Sequence, residues 1–233
     1  MRSRLAFLPT AMGLLASVLL AGCGATASSS NGVASKTPAQ IVAAAISAGA
    51  SAATVHVAGS ILGAGKPISI DMDLVVGKGG HARLTLDGFR VELIGFDRSV
   101  YVKGSAAFYR RFTGRASAAL LRGKWLKGSA QRGALEPLAT LTNLRDVIVG
   151  ALSGHGALSR AGAATIDGRP AIAVSDRTGG GTLYVASTGA PYPLEILHAG
   201  AHAGKLVFDR WNKAVSLAAP TDAVDVDQLR SHR

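Results

Sequence analysis

Between Ile68 and Val76 every second residue is apolar: Ile68, Ile70, Met72, Leu74 and Val76 fall on one side of an extended chain, with Ser69, Asp71 and Asp73 on the other. A period of two is the repeat of a β-strand, whose successive side chains point to opposite faces; a helix would scatter these residues around its circumference. The segment therefore reads as a strand with one dry and one wet face, as in an antiparallel sheet packed on one side. Gly77-Lys78-Gly79-Gly80 reads as a turn, and Ala82, Leu84 and Leu86 then alternate with Arg83, Thr85 and Asp87. Further strands are predicted over Val91 to Phe96 and Ser99 to Lys103, which makes a meander and not a βαβ array.

Helical periods frame this meander. Thr37-Pro38-Ala39-Gln40 has capping-box spacing with Pro at the first helical position, and Ile41, Ala45, Ala48 and Ala52 then share a helical face. The stretch Ala106 to Arg122 also reads as helix, weakened by Gly114, and Trp125 falls in a short strand-like piece after it. From Leu135 to Leu152 the residues Leu138, Leu141, Leu144, Ile148 and Leu152 recur at three and four, with Gly154 placed to end the helix. A second run of short strands is predicted at Ala164 to Asp167, Ala171 to Asp176, Thr182 to Ser187, Leu194 to His198, Lys205 to Arg210 and Val215 to Leu217, joined by turns such as Asp167-Gly168. The sum is an α+β fold: about ten strands in a strongly curved antiparallel half-barrel, with helices covering the concave face. A sheet of that size must curl, and its concave side must be covered or filled.

The N-terminal end is organised differently. Arg2 and Arg4 precede an apolar run, Leu5 to Leu20, that is interrupted by Pro9 and is too short for a spanning helix of about 20 residues. A charged start, a short apolar core and a small-residue exit predict an export signal over residues 1–22. Cys23, the only cysteine in the chain, follows at once, and a lone cysteine makes neither an intrachain disulfide nor a zinc site. The exit Leu20-Ala21-Gly22-Cys23 resembles the bacterial lipobox, which implies that Cys23 becomes a diacylglyceryl-modified first residue. Two acyl chains, at about 0.8 kcal/mol per buried methylene, anchor durably. Residues 23–36 then form the lipidated cysteine and a flexible Gly/Ser/Ala linker, and residues 37–233 a single domain. Without Arg2 and Arg4 the formal net charge falls from +11 to +9. In an exported, tethered chain that balance points to an anionic membrane surface and away from nucleic acid.

The succession Tyr101-Val102-Lys103-Gly104 leading to Phe108, Gly123-Lys124-Trp125, Thr165-Ile166-Asp167-Gly168-Arg169-Pro170, Gly181-Thr182-Leu183-Tyr184-Val185, Pro191-Tyr192-Pro193-Leu194 and Phe208-Asp209-Arg210-Trp211-Asn212-Lys213 resembles the LppX/LprG group of actinobacterial envelope lipoproteins, within the LolA/LolB-like fold superfamily. The resemblance implies a half-barrel around an apolar cavity that binds acylated lipids or glycolipids, and an anchor in the outer face of the plasma membrane. The recurring residues fall at turns and strand ends, so they are fold markers and not ligand contacts. The candidates for a lipid-facing surface come from the alternation itself: Ile68, Ile70, Met72, Leu74, Leu84 and Leu86. With only twelve aromatic residues in 233 and abundant Gly and Ala, the interior is expected to be aliphatic.

The residues do not build an enzyme. Gly77-Lys78-Gly79-Gly80-His81-Ala82 matches a dinucleotide-binding glycine pattern, but a strand follows where a helix N-terminus would have to hold the pyrophosphate. Gly49-Ala50-Ser51-Ala52-Ala53 approximates a nucleophile elbow yet ends a helix, so Ser51 reads as a helix-end residue. His198 and His202 lack a third metal ligand at a telling spacing. The expectation is a monomeric, cofactor-free lipid carrier without catalytic or metal-binding residues. The alternatives are an envelope interaction or sensor module with a packed interior and, less favoured, a lipid hydrolase.

Overall fold

The computed structural model describes residues 29–63, 65–200 and 203–231, so Cys23 and the expected export signal lie outside the described residues. Twelve strands form one sheet: β1 (Thr54–Gly63), β2 (Lys66–Val75), β3 (Gly79–Leu86), β4 (Phe89–Phe96), β5 (Ser99–Gly104), β6 (Trp125–Ser129), β7 (Leu158–Ile166), β8 (Arg169–Asp176), β9 (Gly181–Ala186), β10 (Pro193–His198), β11 (Gly204–Asp209) and β12 (Ala223–Asp225). Their spatial order is β12-β6-β5-β4-β3-β2-β1-β11-β10-β9-β8-β7, an open curved sheet that does not close on itself. Two meanders, β1–β6 and β7–β11, are thus zipped together by the antiparallel pairing of β1 with β11. Hairpin chemistry fixes the register. Asp87-Gly88 and Asp167-Gly168 both have positive φ at both residues, the backbone that a two-residue hairpin turn requires.

Among the described residues four α-helices accompany the sheet: α1 (Pro38–Ala50), α2 (Ala106–Leu121), α3 (Leu144–Ser153) and α4 (Val226–Ser231). Helix α1 starts as its sequence dictates: the Thr37 hydroxyl accepts from the Gln40 amide, and the Gln40 side chain accepts from the Thr37 amide. It lies across β7–β10 and against α3. The crossing is close because Gly49 has no side chain, and a Cβ there would stand 3.1 Å from Ile148 Cγ2. Ile41, Val42 and Ala45 of α1 and Leu144, Ile148 and Leu152 of α3 are all buried in one core with the sheet.

The long helix expected from Leu135 to Leu152 is divided. A 3-10 turn occupies Glu136–Thr142 and α3 begins afresh at Leu144, because Asn143 adopts an extended backbone and its side chain accepts from the Asp146 amide as an N-cap. The 3-10 turn plugs the sheet over β3–β5. Gly95 admits it, since a Cβ at that position would sit 2.1 Å from Thr142 Oγ1. Three further departures concern strands. β7 begins at Leu158 and not Ala164, with a register shift between Arg160 and Gly162; residues 215–217 are irregular; and β12 pairs in parallel with β6.

Within the stretch expected as linker, residues 30–36 lie against the domain. Ser30 bridges Thr188, Asn31 donates through Nδ2 to the carbonyls of Ala186 and Gly189, and Val33 is 1% exposed in the main core. Arg160 donates to the carbonyls of Ala34 and Lys36. Two of the segments quoted for the family resemblance also meet: the Trp211 ring stacks on Tyr192 with centroids 4.3 Å apart, and Asn212 donates to the Tyr192 hydroxyl.

Candidate functional site: the apolar concave face

Strand registers align one apolar row across nine strands: Val174, Leu183, Ile196, Leu206, Gly59, Ile70, Leu84, Val91 and Gly104, from β8 to β5 in spatial order. Each neighbour in the row is a direct cross-strand partner, so the face is continuous and not a set of separate patches. The residues singled out by the alternation lie on it. Ile68 pairs with Leu86 and Ile70 with Leu84, while Met72 and Leu74 pair with Ala82 and Gly80. Their burial is graded: Leu74 is 0% exposed and Met72 4%, whereas Ile68, Ile70 and Leu86 are half-buried. The face is therefore sealed at the end held by the 3-10 turn and looser at the end where β2 begins and β3 finishes.

The opposite face carries the wet half of the alternation. Asp71, Arg83, Glu92 and Lys103 are consecutive cross-strand partners of alternating sign. Arg83 donates to Asp71 at 3.1 Å, and the imidazoles of His56 and His81 lie 2.6 and 2.7 Å from the carboxylates of Asp209 and Glu92. Glu195 is buried on the sheet and is met by Lys205 at 2.7 Å, and that hydrogen bond raises the lysine pKa. A depression of about 640 Å³ runs over β2–β5. Its lining takes in Ile70, Leu84, Val91 and Gly104 of the apolar row as well as Asp71, Arg83, Glu92 and Lys103 of the wet one.

On the concave side the helices and the 3-10 turn fill most of the space. One cavity, of about 50 Å³, lies between α1, α3 and strands β7–β10, walled by Val42, Leu152, Leu158, Val174, Leu183 and Ile196, and a space of about 320 Å³ lies where the 3-10 turn meets β4 and β5, lined by Thr142, Ala139, Gly95 and Val100. The first is well below the roughly 150 Å³ that admits a benzene ring. Its rim is polar: Asp176, His155 and His198 stand around it, beside Gly181. The Gly179 amide, followed by the amides of Thr178 at 2.8 Å and Gly156 at 3.2 Å, donates to the Asp176 carboxylate, and together they hold its pKa below the usual value. His198 Nδ1 is buried and has no hydrogen-bond partner among the described residues. Sequence reasoning weighed His198 only as a metal ligand with His202, which lies outside the described residues; its rim position depends on cross-strand pairing with Gly181, which no local pattern reveals.

Near the other half of the sheet, α2 is capped by Ser105 and held by Tyr109, whose hydroxyl accepts from the Gly104 amide and donates to the Lys124 carbonyl. Burial raises the Tyr109 pKa. Ser51 is the C-terminal cap of α1, and Gly77 and Lys78 form the turn between β2 and β3. Among the described residues, no three His, Cys, Asp or Glu side chains are grouped to hold a metal ion, and no helix is long and apolar enough to cross a membrane.

No family model and no curated protein matches the chain. Solved structures do. LprF from Mycobacterium bovis superposes with a TM-score of 0.53 at 16% identity, over 78% of this chain and 96% of that one. The Mycobacterium tuberculosis lipoprotein LppX matches at 17% identity and a TM-score of 0.49, over 78% and 98% of the two chains. A LolA superfamily protein from Nitrosomonas europaea matches at 10% identity and a TM-score of 0.28, over 78% and 96%. The likeness to LprF shows that the chain has the curved-sheet fold implied by its sequence motifs.

Proposed function

We propose that this protein is an exported lipoprotein, anchored through Cys23 in the outer face of the plasma membrane, that binds the acyl chains of a lipid or glycolipid for transfer or presentation and performs no catalysis. The observation that carries this reading is the unbroken apolar row across nine strands, faced by helices that pack on it through buried aliphatic side chains. Alkyl chains need apolar area and few directed partners, and such a face supplies that area once the helices move off it. The motif resemblance and the LprF-like fold agree with it. In this reading the protein works as a monomer, and its positive charge favours an anionic membrane surface.

One observation favours a second reading. Beneath α1 and α3 only about 50 Å³ is left, so that half of the concave face is nearly full, as an envelope interaction or sensor module of the same fold would have it. Native mass spectrometry with solvent extraction separates the two. The chain from residue 24 onward is exported behind a cleavable signal without Cys23, so that any lipid found is cargo and not anchor. A stoichiometric adduct with a distribution of chain lengths supports the carrier. A clean apo mass, repeated after incubation with total envelope lipid, supports the packed module.

A further inference from the structure

Charge is unevenly spread along the chain. Residues 98–135 hold nine of the 25 Lys and Arg and none of the 14 Asp and Glu. This stretch takes in β5, α2 and β6, so the fold gathers its excess of cations around one helix. The first turn of α2 is fixed to the sheet: Ser105 caps it, Tyr109 is buried, and Phe108 occupies the room that a Cβ at Gly104 would need. The far end of the helix is bare. Past the buried Ala118, Leu120 is 80% exposed, and Arg122 and Lys124 are exposed beyond it, as Arg110 and Arg111 are nearer the start. Half-buried Trp125 follows, with the Lys103 ammonium 5.6 Å from its ring centroid.

A large aliphatic side chain left in water among cations, next to a tryptophan, is the composition of helices that lie in the headgroup region of an anionic bilayer. Asp222 meets Lys124 at 3.3 Å, but that pair is exposed and a lipid phosphate can take the carboxylate's place. An acidic protein would match the charge and would still need a pocket shaped for Leu120. A bilayer takes both without a shaped fit.

Position decides which bilayer. Through the antiparallel registers, Gly104 at the end of β5 lies at the opposite end of the sheet from Ala186, beside which Asn31 is held. The chain leading back to Cys23 therefore leaves from one end and α2 caps the other. Building on the anchor at Cys23, we infer that α2 and the start of β6 dock on a second anionic bilayer, facing the one that holds the anchor, so that the protein bridges two membrane surfaces.

The test places the full lipidated chain in dyed phosphatidylcholine vesicles and mixes them with acceptor vesicles of a second dye, made of phosphatidylcholine with or without phosphatidylglycerol. Two-colour particles are then counted. Wild type should tether the anionic acceptors about tenfold more than the neutral ones and lose that excess in high salt. The double change Arg110→Glu and Arg122→Glu should lower tethering about tenfold, and Leu120→Ser about threefold. All three side chains are exposed, so the variants should fold; Arg169→Glu, an exposed charge at the anchor end, should leave tethering unchanged. Equal tethering of both acceptors by wild type, or undiminished tethering in either variant, overturns the docking surface and leaves the anchor standing. Stronger capture of polyglutamate than of anionic vesicles assigns the surface to an acidic protein and overturns the membrane as its partner. A chain that does not float with its own vesicles overturns the anchor and the bridge together.

Discussion

Shortening Leu152 to alanine tests the helical plug directly. Leu152 is 5% exposed on α3 and forms part of the wall of the residual cavity. The change removes three carbons, worth roughly 2.4 kcal/mol at about 0.8 kcal/mol per buried methylene. Each ~40 Å³ of hollow that fails to collapse adds about 1 kcal/mol, which brings the expected loss to about 3 kcal/mol. With a urea slope of about 2 kcal/mol/M, the midpoint should fall by about 1.5 M. The same hollow joins the existing space, so binding of a small apolar probe, such as benzene followed by NMR shifts, should appear or strengthen in the variant. Leu141→Ala is the control, since Leu141 is 37% exposed on the 3-10 turn and should cost well under 1 kcal/mol. Loss of stability without any gain in probe binding would show that the plug collapses into the space. The reasoning that links plug packing to cavity opening would then fail.

Gly95→Val puts a branched side chain where Thr142 Oγ1 stands 2.1 Å from the first added carbon; it should cost about 1–3 kcal/mol in chemical denaturation and expose Thr142 to faster amide exchange. Asn31→Ala removes both hydrogen bonds to the Ala186 and Gly189 carbonyls, so limited proteolysis should cut residues 30–36 several-fold faster while the melting of the sheet core changes little. Asp176 has a folded-state pKa depressed by its backbone amides, so its stabilising contribution is present above the unfolded value near 4 and is lost as pH falls through the folded value. Denaturation midpoints between neutral pH and about pH 3 should therefore decline less in Asp176→Asn than in wild type, and parallel declines would refute that assignment.

The dry and wet faces of β2 and β3 were legible because alternation is a local property, and the same holds for the Thr37–Gln40 box at the start of α1. The helix break at Asn143 was not read, since Leu138, Leu141 and Leu144 continue a helical stripe through it; the Asn143–Asp146 spacing was the available signal. The early start of β7 was hidden by the register shift at Arg160 to Gly162, which breaks the period of two. β12 is a strand only because β6 is beside it, a pairing between residues about a hundred positions apart. Val33 was lost in a Gly/Ser/Ala background although it is an aliphatic residue that the core takes up. Of the concave site, the apolar side chains of β2 and β3 could be read, while the polar rim could not. His155, Asp176 and His198 come from a loop and two strands that only the folded sheet brings together.

The docked segment at residues 30–36 has a geometric consequence for orientation. Ser30 and Asn31 are fixed beside Ser187–Gly189, where β9 ends, whereas the polar rim lies where β9 begins, at Gly181. An acyl anchor on Cys23 would thus hold the molecule by one pole, on a leash of seven residues that spans at most about 25 Å. The ten residues of β1 run from that pole toward the other, about 30 Å at strand rise. Standing upright, the molecule would turn its rim outward, toward whatever lies across the envelope and away from the leaflet that carries it.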